Sequence, residues 1–184
     1  MGKSIGLITF PDFETLDVYG PIGLIGTNMV DDFYDVTLIT SGPDVLIPII
    51  PTSHIPTLTE MTMDSALIRN WDVILLPGGI GFEKLLQDFE FLAKLRQLVD
   101  KCEIMFTVCT GSFTLAATGL LDGVKATSNK QLYNQWTPLF PKVDWVHVVR
   151  WTHDGKFLCS SGVSAGMVCS LYSSQINSRM RLYI

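Results

Sequence analysis

The sequence predicts an α/β fold, a sandwich in which helices cover both faces of a mostly parallel β-sheet. Two observations lead to this prediction. Strand-like and helix-like segments alternate along the chain, and the strand segments are continuous apolar runs rather than alternating ones. Continuous apolar runs are typical of strands buried on both faces, and the intervening helices are the crossovers that parallel strands require. At 184 residues the chain is predicted to be one domain, residues 1–184.

The first third of the chain is predicted to supply two strands, a helix and an edge segment. Residues 3–10 form a strand that ends at Pro11. Residues 14–29 form a helix, with an expected interruption at Gly20-Pro21 because proline lacks the backbone N–H that a helix interior needs. Residues 35–40 form the second strand. Residues 46–59 are rich in proline, which confines them to extended structure at a sheet edge.

The rest of the chain continues the alternation. The leucine spacing in residues 82–101 has helical period, and Gly119 ends a short helix. A turn at residues 153–155 is expected to separate the last two strands. The predicted strands are residues 72–76, 103–108, 143–149 and 156–159, and the predicted helices are residues 82–101, 112–118, 129–136 and a last helix from about 163 or 164.

Composition excludes several classes of protein. The net charge of −5 disfavours nucleic acid and anionic membrane as partners. No apolar run is long enough to cross a bilayer, and the amino terminus lacks a signal-peptide core, so we expect a cytoplasmic protein. The four cysteines lack metal-ligand spacing and are predicted to be reduced thiols, with a disulfide pair as the lesser alternative.

Cys109 is the candidate nucleophile. In the segment FTVCTGS it follows a buried strand and precedes small residues, the pattern of a nucleophile elbow. A position at a helix N-terminus is expected to favour the thiolate and lower the pKa of the thiol. The alternative is a buried structural cysteine, which is the default for a lone cysteine in an apolar run.

The ends of two other predicted strands supply partners for Cys109. Gly78 and Gly79 can bring backbone N–H groups close to it and form an oxyanion hole with the N–H of Thr110; the alternative is a plain turn. After the first strand, Asp17 lies in an apolar stretch, where a carboxyl group near Cys109 would have a raised pKa and act as general acid and base. Glu14, one helical turn away, can face the same way or be solvated.

The histidines and glycines exclude other chemistry. His54, His147 and His153 lie outside these strand ends, and a surface or structural role is expected for each, so no local Cys-His dyad is predicted. The glycines after residue 77 fail the dinucleotide-binding fingerprint at Lys84. No cluster of metal ligands is predicted.

Six segments together resemble the ThiJ/PfpI superfamily and, within it, the isocyanide hydratase branch. The segments are IGLITFP (5–11), LDVYGP (16–21), VILLPGG (73–79), VCTGS (108–112), GLLDG (119–123) and SGVSAG (161–166). The resemblance implies a flavodoxin-like α/β/α sandwich, similar to class I glutamine amidotransferases. It also implies a homodimer without metal or organic cofactor.

The resemblance assigns roles to the candidate residues. It implies Cys109 as nucleophile, Asp17 as acid and base, and the N–H groups of Gly79 and Thr110 near the substrate. The implied reaction hydrates an isocyanide to an N-formamide through a cysteine thioimidate. Peptidase and amidotransferase relatives carry His directly after the cysteine, and Thr110 stands there in this chain.

Two segments depart from the family pattern. Asn129-Lys130 occupies positions where many hydratase-like members have His-Trp. Met167-Val168-Cys169 replaces a segment in which the family usually has Asp, and a shortened, atypical last helix is expected from about residue 164.

Three alternative functions remain. A glyoxalase or deglycase acting on 2-oxoaldehydes is one, although Asp17 replaces the usual Glu. A redox sensor that oxidises Cys109 is the second. A ligand-sensing domain of a transcriptional regulator is the third, and the absence of a DNA-binding segment after Ile184 is expected to count against it.

Overall fold

The computed structural model describes residues 3–26 and 34–176 and places seven strands in one central sheet. In chain order these strands are β1 (Lys3–Thr9), β2 (Tyr34–Thr40), β3 (Met61–Thr62), β4 (Trp71–Leu76), β5 (Cys102–Val108), β8 (Trp151–Asp154) and β9 (Phe157–Ser160). The spatial order is β3-β2-β1-β4-β5-β9-β8. Neighbouring strands are parallel except β8, which is antiparallel to β9. The predicted parallel sheet is therefore confirmed.

Helices flank this sheet in two groups. They are α1 (Thr15–Gly26), α2 (Met63–Ala66), α3 (Phe82–Leu85), α4 (Phe89–Asp100), α5 (Gly111–Ala117), α6 (Tyr133–Trp136) and α7 (Val163–Ile176), with a 3-10 turn at Thr137–Leu139. Helices α1 and α7 pack against each other, whereas α2, α3, α4 and α5 contact one another. No helix within the described ranges is long and apolar enough to span a membrane.

The position of β1 defines where a ligand can bind. Strand β1 pairs with β2 on one side and with β4 on the other, so the chain changes direction across the sheet at this point. In open parallel sheets, the carboxyl ends of strands at such a switch point form a crevice. Strands β1, β4 and β5 are consecutive neighbours, which confirms that the three predicted strand ends converge.

Helix α1 runs through Pro21, so the expected interruption at Gly20-Pro21 is wrong. Packing against α7 explains the continuity, because tertiary contacts override the local cost of a proline. Gly20 allows the close approach, since a Cβ at this position would lie 2.9 Å from Cγ of Met167. Residues 27–29 of the predicted helix lie outside the described residues.

The edge segment and the leucine-rich helix also differ from prediction. Residues 46–59 add no strand to the main sheet; Ile49 and Thr57 pair only with each other, and the edge strand is β3. The predicted helix over residues 82–101 is two helices, α3 and α4. Asp88 separates them because its Oδ1 accepts a hydrogen bond from the N–H of Phe91 at 2.9 Å and caps α4.

The region between α5 and α7 holds the largest errors of the sequence prediction. Only the last part of the predicted helix 129–136 is helical, as α6. The predicted strand 143–149 shortens to β7 (Asp144–Trp145), which pairs with β6 (Lys125–Ala126) in a separate two-stranded sheet. The strand that precedes β9 is β8, so His153 and Asp154 belong to a strand and the turn follows at Gly155, which has φ 57°.

Loss of the Asp88 cap should destabilise the fold measurably. Asp88→Ala is expected to lower the free energy of unfolding by about 1 kcal/mol, because the Phe91 N–H loses its acceptor. Asp88→Asn keeps a side-chain oxygen at this position, so it should lower the free energy of unfolding by only a few tenths of a kcal/mol. Urea denaturation followed by circular dichroism measures both, and equal losses in the two variants would contradict the capping role.

Candidate active site

Cys109 occupies a strained turn between β5 and α5. Its φ is 57°, in the left-handed region that residues other than glycine seldom adopt. The surrounding structure holds this conformation: the Cys109 N–H donates to the Ser160 carbonyl at 3.0 Å, and the Cys109 carbonyl accepts from the hydroxyls of Ser128 at 2.9 Å and Ser112 at 3.2 Å. Such over-determined strain is concentrated at functional sites, so this geometry favours the nucleophile over a structural cysteine.

Three glycines let the neighbouring strand ends approach this turn. A Cβ at Gly78 would lie 2.7 Å from Cβ of Cys109, and one at Gly111 would lie 2.4 Å from the Leu76 carbonyl oxygen. Gly79 has φ 133°, and a Cβ there would lie 2.3 Å from the Asp12 carbonyl oxygen. Side chains at these positions would push β4, β5 and the segment before α1 apart.

Asp17 is fully buried in the first turn of α1 and faces the end of β4. Its Oδ2 accepts a hydrogen bond from the Gly78 N–H at 3.0 Å, whereas its Oδ1 has no hydrogen-bond partner among the described residues. Burial raises the pKa of Asp17 to about 7. The hydrogen bond from the Gly78 N–H lowers the pKa in part, and the charge of Glu14 raises it further. A carboxyl group with this pKa can give and take protons at neutral pH.

The Cys109 thiol is buried, and its pKa lies above the ordinary value, contrary to the expected decrease. Burial raises the pKa to about 12, and the charge of Asp17 adds to this increase. Hydrogen bonds from the Asn129 side chain and the Thr110 N–H act in the opposite direction. Burial outweighs these two hydrogen bonds, so the pKa of the Cys109 thiol stays above the ordinary value of a cysteine.

Asn129 contacts the sulfur, and sequence reasoning did not assign it to the site. Its Nδ2 donates to Sγ of Cys109 at 3.0 Å, while its Oδ1 accepts from the N–H groups of Gln131 at 3.0 Å and Leu132 at 3.1 Å. These two backbone donors fix the amide so that its NH₂ group faces the sulfur. The sequence did mark this position, because Asn129 stands where the family pattern has another residue type.

Two of the three predicted substrate-binding residues, Gly79 and Thr110, lie side by side. The Gly79 N–H donates to the Thr110 hydroxyl oxygen at 3.1 Å, and that hydroxyl can donate to the Gly79 carbonyl at 3.2 Å. The Gly78 N–H, predicted to face the substrate, instead holds Asp17. To bind an oxyanion, the N–H groups of Gly79 and Thr110 would therefore have to exchange their present hydrogen-bond acceptors for an atom of the substrate.

The remaining titratable candidates occupy the margin of the site or lie outside it. Glu14 is held by the Leu16 N–H and the Thr52 hydroxyl, and its charge raises the pKa of both Asp17 and Cys109. His147 packs against Tyr133, and His54 lies in the loop before Thr57. The four cysteines are free thiols, as predicted. No group of three or more metal-ligating side chains occurs among the described residues.

The fold and the cysteine turn define a class of protein. The chain belongs to the DJ-1/PfpI family, whose family model matches residues 3–170. This confirms the superfamily predicted from the six sequence segments.

Individual relatives refine this placement. The chain is 29% identical to the isonitrile hydratase of Pseudomonas putida over 95% of its own length and 72% of that protein. Its fold matches a ThiJ/PfpI family protein from Pseudomonas syringae (TM-score 0.78, 22% identity, 95% of this chain and 69% of that chain). It also matches DJ-1beta of Drosophila melanogaster (TM-score 0.79, 18% identity, 95% and 90%). The two structures show the fold, and the hydratase supports an enzyme of this family.

The raised pKa of Asp17 makes stability depend on pH. Between about pH 4 and pH 7 the folded chain retains a proton on Asp17 that the unfolded chain has released, so rising pH destabilises the folded state. Asp17→Asn removes this titration. The free energy of unfolding of the wild type relative to Asp17→Asn should fall by roughly 2 to 4 kcal/mol from pH 4 to pH 8.

Urea denaturation of both proteins across this pH range measures that difference. Glu60→Gln, which removes an exposed carboxylate elsewhere, controls for the loss of one acid. A pH-independent difference between wild type and Asp17→Asn would show that Asp17 ionises as readily in the folded chain as in the unfolded one.

Asn129 should control the reactivity of the thiol. Removing its amide in Asn129→Ala takes a hydrogen bond from the thiolate, which should raise the pKa of Cys109 further and slow its alkylation at pH 8 by roughly 10-fold. Iodoacetamide labelling with peptide mapping measures the rate at Cys109. Gln131→Ala removes a neighbouring amide that does not contact the sulfur, and an equal slowing in this control would contradict the role of Asn129.

Proposed function

We propose that this protein is an isocyanide hydratase-like enzyme that converts R–N≡C and water to an N-formamide. One observation carries the proposal: a buried Cys109 thiol lies near a buried acid, Asp17, whose pKa is about 7. The addition of a thiol to an isocyanide needs a soft nucleophile and one group that can relay a proton. The 29% identical isonitrile hydratase supports the same reaction.

In the first step, the thiol of Cys109 adds to the terminal carbon of the isocyanide. The sulfur forms a bond to this carbon, the S–H proton passes to the ionised carboxylate of Asp17, and Asp17 then delivers that proton to the same carbon. The product is the thioimidate R–N=CH–S–Cys109. The Oδ1 atom of Asp17, which has no hydrogen-bond partner among the described residues, is the atom that carries this proton.

In the second step, water attacks the thioimidate carbon. Asp17 accepts a proton from the water and delivers it to nitrogen, which leaves R–NH–CH(OH)–S–Cys109. The C–S bond then breaks, the hydroxyl proton returns to sulfur through Asp17, and the formamide R–NH–CHO departs. In this scheme the N–H groups of Gly79 and Thr110 bind the substrate, and no step uses a metal or organic cofactor.

The alternatives have weaker physical support. Oxidation of a cysteine by peroxide follows thiolate character and exposure, and Cys109 is 9% exposed with a pKa raised to about 12, which disfavours a redox sensor. A glyoxalase or deglycase remains the second candidate because its 2-oxoaldehyde substrates also react with a cysteine. The homodimer and the cytoplasmic location stay predictions.

Turnover of p-nitrophenyl isocyanide tests the proposed reaction. The wild type is expected to form the N-formamide, detected by chromatography. Cys109→Ala should lower kcat/KM by at least about 10³-fold, because no covalent intermediate can form. Asp17→Asn should also stop product formation while leaving Cys109 open to alkylation.

Cys102→Ala is the matched control, because Cys102 is a buried thiol at the opposite end of β5. Formamide from folded Cys109→Ala would rule out covalent catalysis. Absence of formamide from folded wild type, together with turnover of methylglyoxal, would replace the hydratase by the 2-oxoaldehyde enzyme.

A further inference from the structure

A cleft of about 620 Å³ opens beside Asn129, the residue whose amide contacts the Cys109 sulfur. The cleft is lined by residues 129–131, by Arg150 and by residues 161–165, around the start of α7. Its volume is within the range of small-molecule sites. The mechanism uses neither the cleft nor the two cationic side chains that line it, Lys130 and Arg150.

Both cations lack an acidic partner in the part of the chain that the structure describes. Lys130 donates from Nζ to the Thr127 hydroxyl at 2.5 Å, and Nζ lies 5.1 Å from the centre of the Tyr133 ring. Arg150 donates from Nη2 to the Ser164 hydroxyl at 3.3 Å. The ion pairs found among residues 3–26 and 34–176 all use other lysines and arginines. Two cationic side chains therefore line the cleft without forming an ion pair within the described ranges.

We propose that Lys130 and Arg150 bind a carboxylate on the substrate and thereby make the enzyme selective for anionic electrophiles. The identity of the electrophile, a carboxylate-bearing isocyanide, rests on the proposed function. The isocyanide group is linear and reacts at its terminal carbon, so the rest of the substrate must extend away from Cys109. Asn129 borders both the sulfur and the cleft, so a substituent that extends from Cys109 past Asn129 would reach the cleft.

The negative charges around Cys109 oppose an anionic substrate, and a pair of cations beside the site would offset this repulsion. Asp17 and Glu14 both act on the sulfur through their negative charge, and the whole chain carries a net charge of −5. An anion entering this site without compensation would be repelled. Arginine can bind a carboxylate with two parallel hydrogen bonds, and lysine adds a point charge.

Alkylation of Cys109 tests the selectivity without relying on isocyanide turnover. The probes are iodoacetate, which is anionic, and iodoacetamide, which is neutral. The measured quantity is the second-order rate constant for iodoacetate at Cys109 divided by that for iodoacetamide. The wild-type ratio should exceed that of the Lys130→Met/Arg150→Met double variant by about 3- to 10-fold and should approach the variant's ratio in high salt. Lys142→Met, which removes an exposed lysine paired with Asp122, should keep the wild-type ratio.

The conservative variant is the single substitution Lys130→Arg, in which Arg150 is unchanged. It should retain most of the preference for iodoacetate. Equal ratios in the wild type and the double variant would overturn the proposal. An equal drop in Lys142→Met would also overturn it, because net charge rather than the cleft would then explain the effect.

Isocyanide turnover gives the second readout. With 4-isocyanobenzoate and its neutral methyl ester as substrates, the wild type should show a higher kcat/KM for the carboxylate, and the double variant should lose about 3- to 10-fold of that preference. Turnover of both compounds at equal rates in all variants would overturn the selectivity but not the hydratase. Absence of turnover with a preserved alkylation ratio would overturn the hydratase but support the anion-binding cleft.

Discussion

The hydrogen bond from the Gly78 N–H to Asp17 joins the two parts of the site that the sheet topology brings together. It connects the end of β4 to the first turn of α1 at 3.0 Å and satisfies one oxygen of a fully buried carboxyl group. A buried carboxylate without such a donor would be costly. With one donor only, burial still dominates, so the acid keeps its proton to about pH 7. The same backbone group thus anchors Asp17 through one oxygen, while the other oxygen has no hydrogen-bond partner among the described residues.

The electrostatics of Asp17 and Cys109 are reciprocal. Each group is buried, and a negative charge on Asp17 raises the pKa of Cys109. The site therefore favours a state in which the pair holds protons rather than one in which both are ionised. This state suits a reaction that adds a thiol and its proton to the same carbon atom. It suits a peroxide sensor less well, because that chemistry depends on a stable thiolate.

The sequence was sufficient for the parallel sheet and for the convergence of Asp17, Gly78 and Cys109, because apolar strands and the residues after them are local features. The sequence prediction failed mainly where contacts between distant parts of the chain determine the local structure. Helix α1 crosses Pro21 because α7 packs on it. The break before α4 is instead a local feature that the prediction missed, since Asp88 caps the N–H of Phe91 three residues later. The thiol pKa was predicted in the wrong direction because the depth of burial around Cys109 depends on the packed fold.

Asn129 shows how one departure from a family pattern can redistribute chemical roles. An amide can donate a hydrogen bond to sulfur, but unlike an imidazole it cannot take up a proton at neutral pH. With Asn129 against the sulfur, the proposed mechanism assigns proton transfer to Asp17, whose pKa is raised to about 7. The next residue, Lys130, lines the cleft. In the proposed mechanism, this two-residue segment therefore serves two purposes: Asn129 tunes the nucleophile, and Lys130 helps to select the substrate.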